Sequence, residues 1–229
     1  MATQYSITLS IPQATLTQLV NDGYFLYGFK GVQASQAGAP LVWFSTNSIL
    51  ENNLLTWTEQ YSAYMSESVP LTSNTVITAS DTCLIGLNQV VTADQTGLGS
   101  PTESQNPGIS INNTSSPAVS YNCGIALMPP AGTSSQGGNP LCAFPLAPTM
   151  TDEMIPVEQV VLMFSTAEVS TGTVLEQSSS WAVLIDLTAN NNMSVTYDLT
   201  QPGGWVAAPG VTPQQPPVNL VQMLVPTTG

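Results

Sequence analysis

Histidine and arginine are absent from this chain, and lysine occurs once, at position 30, against fourteen aspartates and glutamates. Without an imidazole, neither a Ser-His-Asp nor a Cys-His nucleophilic arrangement can be assembled. A Ser–Lys dyad would require Lys30, which sits in Phe29-Lys30-Gly31 on an apparent strand and reads instead as the partner of a carboxylate. Phosphate backbones are gripped by Lys and Arg, so one lysine within a net charge of −13 excludes nucleic acid as a partner. Anionic lipid headgroups are excluded as electrostatic partners on the same ground. A trypsin-like protease would find a single cleavage site, after Lys30, which points to resistance to proteolysis. Charged residues make up 7% of the chain and hydrophobic ones 42%. An acidic disordered tail needs the opposite balance, so the chain is expected to fold.

Long apolar stretches are missing too. No run of about eighteen apolar residues is present to cross a membrane as a helix. Met1 to Ile11 has neither a basic region nor a long apolar stretch, so it does not read as a standard signal peptide. The expected setting is extracellular or surface-exposed, reached by a leaderless route. Cysteine is sparse and odd in number: Cys83, Cys123 and Cys142. Cys123 and Cys142 flank a Pro/Gly/Ser loop that a disulfide would close, with Cys83 left free; three reduced, buried thiols fit the count equally well. No CxxC spacing offers a thiolate zinc site.

What is present is periodicity of two. Tyr5, Ile7, Leu9 and Ile11 alternate with Ser6, Thr8 and Ser10, predicting a half-buried strand that stops at Pro12. Gln13 to Asp22 carries Leu16, Leu19 and Val20 at helical spacing, with Gly23 as the stop, which predicts one short helix. Strands follow at Tyr24–Gln33 and Leu41–Thr46, and as one long strand from Trp57 to Met65. Others are expected at Thr75–Ala79, Cys83–Thr92 and Val119–Met128. Val157–Phe164, apolar apart from Glu158-Gln159, is read as a strand buried on both faces. Further strands are read at Thr171–Leu175, Trp181–Leu187 and Met193–Leu199, with a hairpin turn at Ala189–Asn192, and a final strand at Leu220–Val225. Residues 94–117 and 129–152 are rich in Gly, Pro, Ser, Asn and Thr and read as long loops. The expectation is an all-β protein, an antiparallel β-sandwich or jelly roll with one short N-terminal helix, built as a single domain over residues 1–229.

Candidate sites are few. Glu59, between Trp57 and Tyr61, is the carboxylate with the most sugar-like surroundings, and paired carboxylates for glycoside hydrolysis are the one enzyme chemistry this inventory permits freely. Aspartic-dyad motifs are lacking, since neither Asp81-Thr82-Cys83 nor Asp186-Leu187-Thr188 carries the glycine that such a motif needs. Asp152 and Glu153 with loop carbonyls are the candidate calcium ligands, without any EF-hand spacing; no other cofactor is expected. Trp205 follows Gly203-Gly204 in a loop and, with Trp57 and Tyr61, makes up the candidate ligand-binding aromatics. Sequons stand at Asn112, Asn113 and Asn192.

Edge strands are normally guarded by charges, lysine above all, and this chain has almost none to spend. The reading is therefore a non-enzymatic, self-assembling β-sandwich subunit of an extracellular or toxin-like assembly. A homo-oligomer would be held by strand pairing and apolar contacts, with the amino-terminal or the carboxy-terminal strand as the adhesive edge. The alternative is a lectin-like or pore-forming protein meeting a neutral glycan or a membrane surface through loop aromatics; a two-carboxylate glycosidase is the outsider. In general style the chain resembles leaderless β-sandwich lectins and pore-forming toxins, and no motif in it is specific to one family.

Overall fold

A computed structural model describes residues 3–130 and 138–227. It is mostly strand, arranged in several packed sheets with two short helices, in agreement with an all-β sandwich. Residues 131–137, within the expected loop 129–152, lie outside the described residues.

The alternation at the start of the chain becomes the strand Gln4–Ser10, in which Tyr5, Ile7 and Leu9 are buried. It is the middle member of a three-stranded sheet. Asn52–Thr58 runs antiparallel to it on one side and Asn192–Thr196 parallel on the other. A strand paired on both sides offers no edge, so the expectation of an adhesive amino-terminal strand is corrected. The helix Gln13–Asn21 follows as expected, burying Thr15 and Leu19. Gly23, at φ +70°, ends it in a left-handed conformation that disfavours other residues.

The largest sheet has nine strands and is organised on one long strand, Thr151–Ser165. Phe25–Ala34 pairs along one side of it; Ile109–Asn113 and then Ala182–Asp186 pair along the other. The apolar run divides its side chains as a doubly covered strand should. Val160, Leu162 and Phe164 enter the main core. Val161 and Met163 point the other way, into a second cluster with Tyr27 and Phe29. That second face is covered in part by Leu220 and Leu224. These belong to a short helix, Leu220–Leu224, where a final strand was expected. The two leucines stand four residues apart and so share one helical face, and Asn219 caps the helix by accepting from the Gln222 N–H (3.0 Å). The carboxy-terminal strand is thus also removed as an adhesive edge.

The six-stranded sheet centres on Tyr61–Glu67 paired with Tyr121–Leu127. The long strand expected from Trp57 to Met65 is two strands, Asn52–Thr58 and Tyr61–Glu67, in different sheets. The chain turns a corner at Glu59-Gln60. Ala189–Asn192 likewise joins strands of different sheets rather than closing a hairpin. The strands expected at Thr75–Ala79 and Thr171–Leu175 reduce to isolated bridges, Val76 with Thr173 and Leu41 with Val174. Among the described residues the paired strands run antiparallel except for Gln4–Ser10 with Asn192–Thr196 and Gln89–Asp94 with Ile109–Asn113, and one isolated bridge, Ala34 with Thr227, is also parallel. Among the described residues, no helix is long and apolar enough to cross a membrane.

Candidate functional site

The corner at Glu59-Gln60 brings all three larger sheets to one point. Lys30 lies on Phe25–Ala34, and its side chain is fully buried. Opposite it the long strand bulges: Pro156 faces Val32 and Val160 faces Lys30, so residues 157–159 stand against Gly31 alone. A Cβ on Gly31 would fall 2.6 Å from the Val157 side chain, which is why the bulge needs glycine there. The bulge turns the Val157 carbonyl and the Glu158 carboxylate onto the ammonium. Lys30 Nζ donates to Val157 O at 2.5 Å and to Glu158 Oε2 at 3.3 Å. Glu59, delivered by the corner, places Oε1 3.5 Å from the same nitrogen. Tyr61, the first residue of the next strand, donates its hydroxyl to Glu59 Oε1 (2.6 Å). Tyr5, from the three-stranded sheet, gives Glu158 a further hydrogen bond.

The ammonium gives two hydrogen bonds, to Val157 O and Glu158 Oε2, and Glu59 adds an ion pair on a third side. Lys30 therefore acts as a pin holding three sheets rather than as a free nucleophile. It bridges two carboxylates where the sequence suggested one. Burial, followed by the negative field of Glu59, pushes the Tyr61 phenol far above its usual range, and burial raises Tyr5 as well. Loss of hydration raises Glu158 above the ordinary glutamate value, against the pull of Lys30. Both carboxylates are committed to the ammonium and the tyrosines, an arrangement suited to fastening.

The aromatics singled out from the sequence are interior. Trp57 is 3% exposed, stacked on Tyr5 at 5.7 Å and edge-on to Trp43 at 5.4 Å. Its Nε1 is buried without a partner among the described residues. Tyr61 is equally enclosed. Trp205 does not reach out of its loop: it is buried, stacked on Phe164 at 5.6 Å, and edge-on to Tyr197 at 4.7 Å. The expectation that Trp205 faces a ligand is corrected accordingly.

Asp152 and Glu153 are neighbours on one strand and so point to opposite faces. Asp152 is fully enclosed, accepting from the Ser35 hydroxyl at 2.7 Å, while Glu153 accepts the Gly108 N–H at 3.0 Å. The strand thus separates the two candidate calcium ligands, and the described residues hold no group of three metal-ligating side chains. The expected Cys123–Cys142 bridge is also corrected: all three cysteines are free thiols. Cys123 stands opposite Phe144, two residues past Cys142. Such diagonal neighbours lie about 7–8 Å apart, beyond the reach of a disulfide.

What does reach solvent is the strand that leads into the corner. Asn52–Thr58 pairs with Gln4–Ser10 in unbroken register and, among the described residues, with nothing on its far side. Ile11 donates to Glu51 (2.8 Å) and Glu59 to Thr3 (3.0 Å), which makes the odd-numbered residues from 51 to 59 the inward-bonded ones. Asn52, Leu54, Thr56 and Thr58 therefore direct their N–H and C=O groups outward. The strand carries no charge and no bulge. Leu54 is 62% exposed, and Leu50, just before the strand, is 64% exposed. Sequence reasoning had named the Ser/Thr-rich, uncharged style of such an edge but assigned it to the chain ends. Comparison with known proteins finds no matching family model, no matching curated protein and no matching solved structure.

Proposed function

We propose that the protein is a self-associating β-sandwich subunit whose open strand Asn52–Thr58 pairs with the same strand of a second copy. The observation that carries this reading is the edge itself: seven residues in regular register, uncharged and unguarded, with Leu54 in solvent. Exposed edges of this kind are templates for pairing, and proteins that stay monomeric protect them with charge, proline or bulges. A two-fold axis beside Leu55 would set Leu54 and Thr56 of one copy against Thr56 and Leu54 of the other, joining two three-stranded sheets into one of six strands.

The rest of the surface favours this kind of contact. The sole cationic side chain is sealed inside, so copies cannot be drawn together by ion pairs between side chains. Backbone pairing and apolar contact are what remain. An extracellular setting suits the same facts, because the one trypsin site, after Lys30, is buried in the folded protein.

Sedimentation velocity from pH 7 to pH 4 tests the proposal. Wild type should sediment as a dimer or larger, and more so as protonation reduces the net charge. Thr56→Pro should be monomeric with an unchanged fold, since the Thr56 N–H bonds nothing among the described residues. Leu54→Lys should weaken association without melting the protein. A wild type that is monodisperse and monomeric at every pH would overturn the reading.

A further inference from the structure

A groove of about 460 Å³ opens beside the Glu67 end of the strand Tyr61–Glu67, lined by Ala37, Gly38, Val69, Pro70, Asn122 and Pro145 among others. Its volume is in the range of small-molecule sites. No charged side chain lines it, and its walls are mainly proline and aliphatic. Its polar centre is Asn122, on Tyr121–Leu127, which is 1% exposed.

The orientation of the Asn122 amide is fixed by its neighbours. Its Nδ2 donates to Val69 O at 2.9 Å and to Glu67 O at 3.3 Å. Two carbonyls on one side identify that atom as nitrogen and use both of its protons. Oδ1 is thereby turned from them, and no donor among the described residues serves it. Oδ1 is not among the sealed, partnerless atoms of the described interior, which are Trp57 Nε1 and Asp152 Oδ2, so it keeps a narrow opening to the groove and takes a donor from whatever occupies that space. Burial and the two Nδ2 bonds lock the side chain, so a ligand would meet the acceptor already in place.

We infer that this groove is a binding site for a neutral small molecule that combines an apolar ring or chain with one N–H donor, the donor meeting Asn122 Oδ1. A cation would find no carboxylate in the lining and an anion no positive group. A purely apolar molecule would leave the Asn122 acceptor unmet. The site is independent of the open strand and of the self-association proposed for it.

The test uses ε-caprolactam, which has one ring N–H, and N-methylcaprolactam, which has the same ring without it. Binding is followed on the isotope-labelled full chain by shifts of the Asn122 side-chain amide and the backbone amides of Val69 and Leu71. Caprolactam should give saturable shifts confined to these groups, and the N-methyl compound should bind about fivefold more weakly. Ala37→Leu, at an exposed position, should fill the groove and abolish binding while leaving Asn122 and the folded spectrum intact. Equal affinity for the two lactams, shifts elsewhere or nowhere, or full binding by Ala37→Leu would each overturn the inference.

Discussion

Replacing Asp152 by asparagine should remove a pH dependence of folding that the surroundings of this residue impose. Asp152 is fully enclosed, and its Oδ2 is buried with no partner among the described residues. Loss of hydration pushes the carboxyl up from the ordinary 3.8 to about 6, although the Ser35 hydroxyl and nearby backbone N–H groups pull the other way. The titratable groups whose charge acts on it are Glu153, across the strand, and Cys123 and Cys142; burial raises both thiols, so neither ionises in the acid range. The folded state therefore binds this proton more tightly than the unfolded chain does. Stability from this group is complete below pH 3.8 and is lost as pH rises to about 6. A shift of this size corresponds to roughly 3 kcal/mol. Urea unfolding followed by tryptophan fluorescence, from pH 3 to pH 7, would measure it as the difference between wild type and Asp152→Asn. Asp94, Asp186 and Asp198 are lowered by hydrogen bonds to threonines, the opposite sign, but they are common to both proteins and cancel. The variant should gain on wild type by that amount as pH rises. Parallel stability curves across the range would refute the reasoning.

Two further substitutions test the interior. Lys30→Met should leave Glu59 and Glu158 facing each other without a counter-charge and cost on the order of 3 kcal/mol at pH 7 in urea unfolding. Adding Glu59→Gln and Glu158→Gln should recover most of that loss, and the single-variant loss should shrink as pH falls. Trp205→Ala should cost about 3–5 kcal/mol, as for a packed core aromatic, where a solvent-facing loop tryptophan would lose less than about 0.5 kcal/mol.

Periodicity read correctly at the first strand and at the apolar part of the long one. Tyr5, Ile7 and Leu9 alternate because one face of that strand is core, and Val160–Phe164 is uniformly apolar because both faces are. Alternation says nothing about which sheet a strand joins. The parity of Trp57, Tyr61, Ala63 and Met65 runs straight through the corner at Glu59, so two strands in two sheets looked like one. The partners of Lys30 were hidden for a related reason, since a bulge over residues 157–159 aims Glu158 and bulges have no hydrophobic period. Gly203-Gly204 was read as part of a loop; the φ values of +71° and +83° show a use that this reading missed. A Cβ on Gly204 would sit 2.3 Å from the Tyr197 ring; the close approach that glycine permits is what brings Trp205 back against the Tyr197–Phe164 pair. The open edge was anticipated in kind and misplaced, because pairing on both sides of Gln4–Ser10 depends on residues 52–58 and 192–196, far away in the chain.

Placing the only lysine inside changes what the surface can do. Lys30 neutralises part of the charge of two glutamates at the junction of three sheets, so the exterior carries carboxylates and no cationic side chain. Two copies brought together at Asn52–Thr58 then gain backbone hydrogen bonds and Leu54 contact against a uniform repulsion between negative surfaces. The repulsion acts across solvent and is screened over about 10 Å at 0.1 M salt and about 3 Å at 1 M, whereas the strand pairing is short-ranged and hardly screened at all. Association through this edge must therefore strengthen with ionic strength. An interface held by ion pairs would weaken, so the sign of the salt dependence distinguishes the two kinds of contact without any substitution.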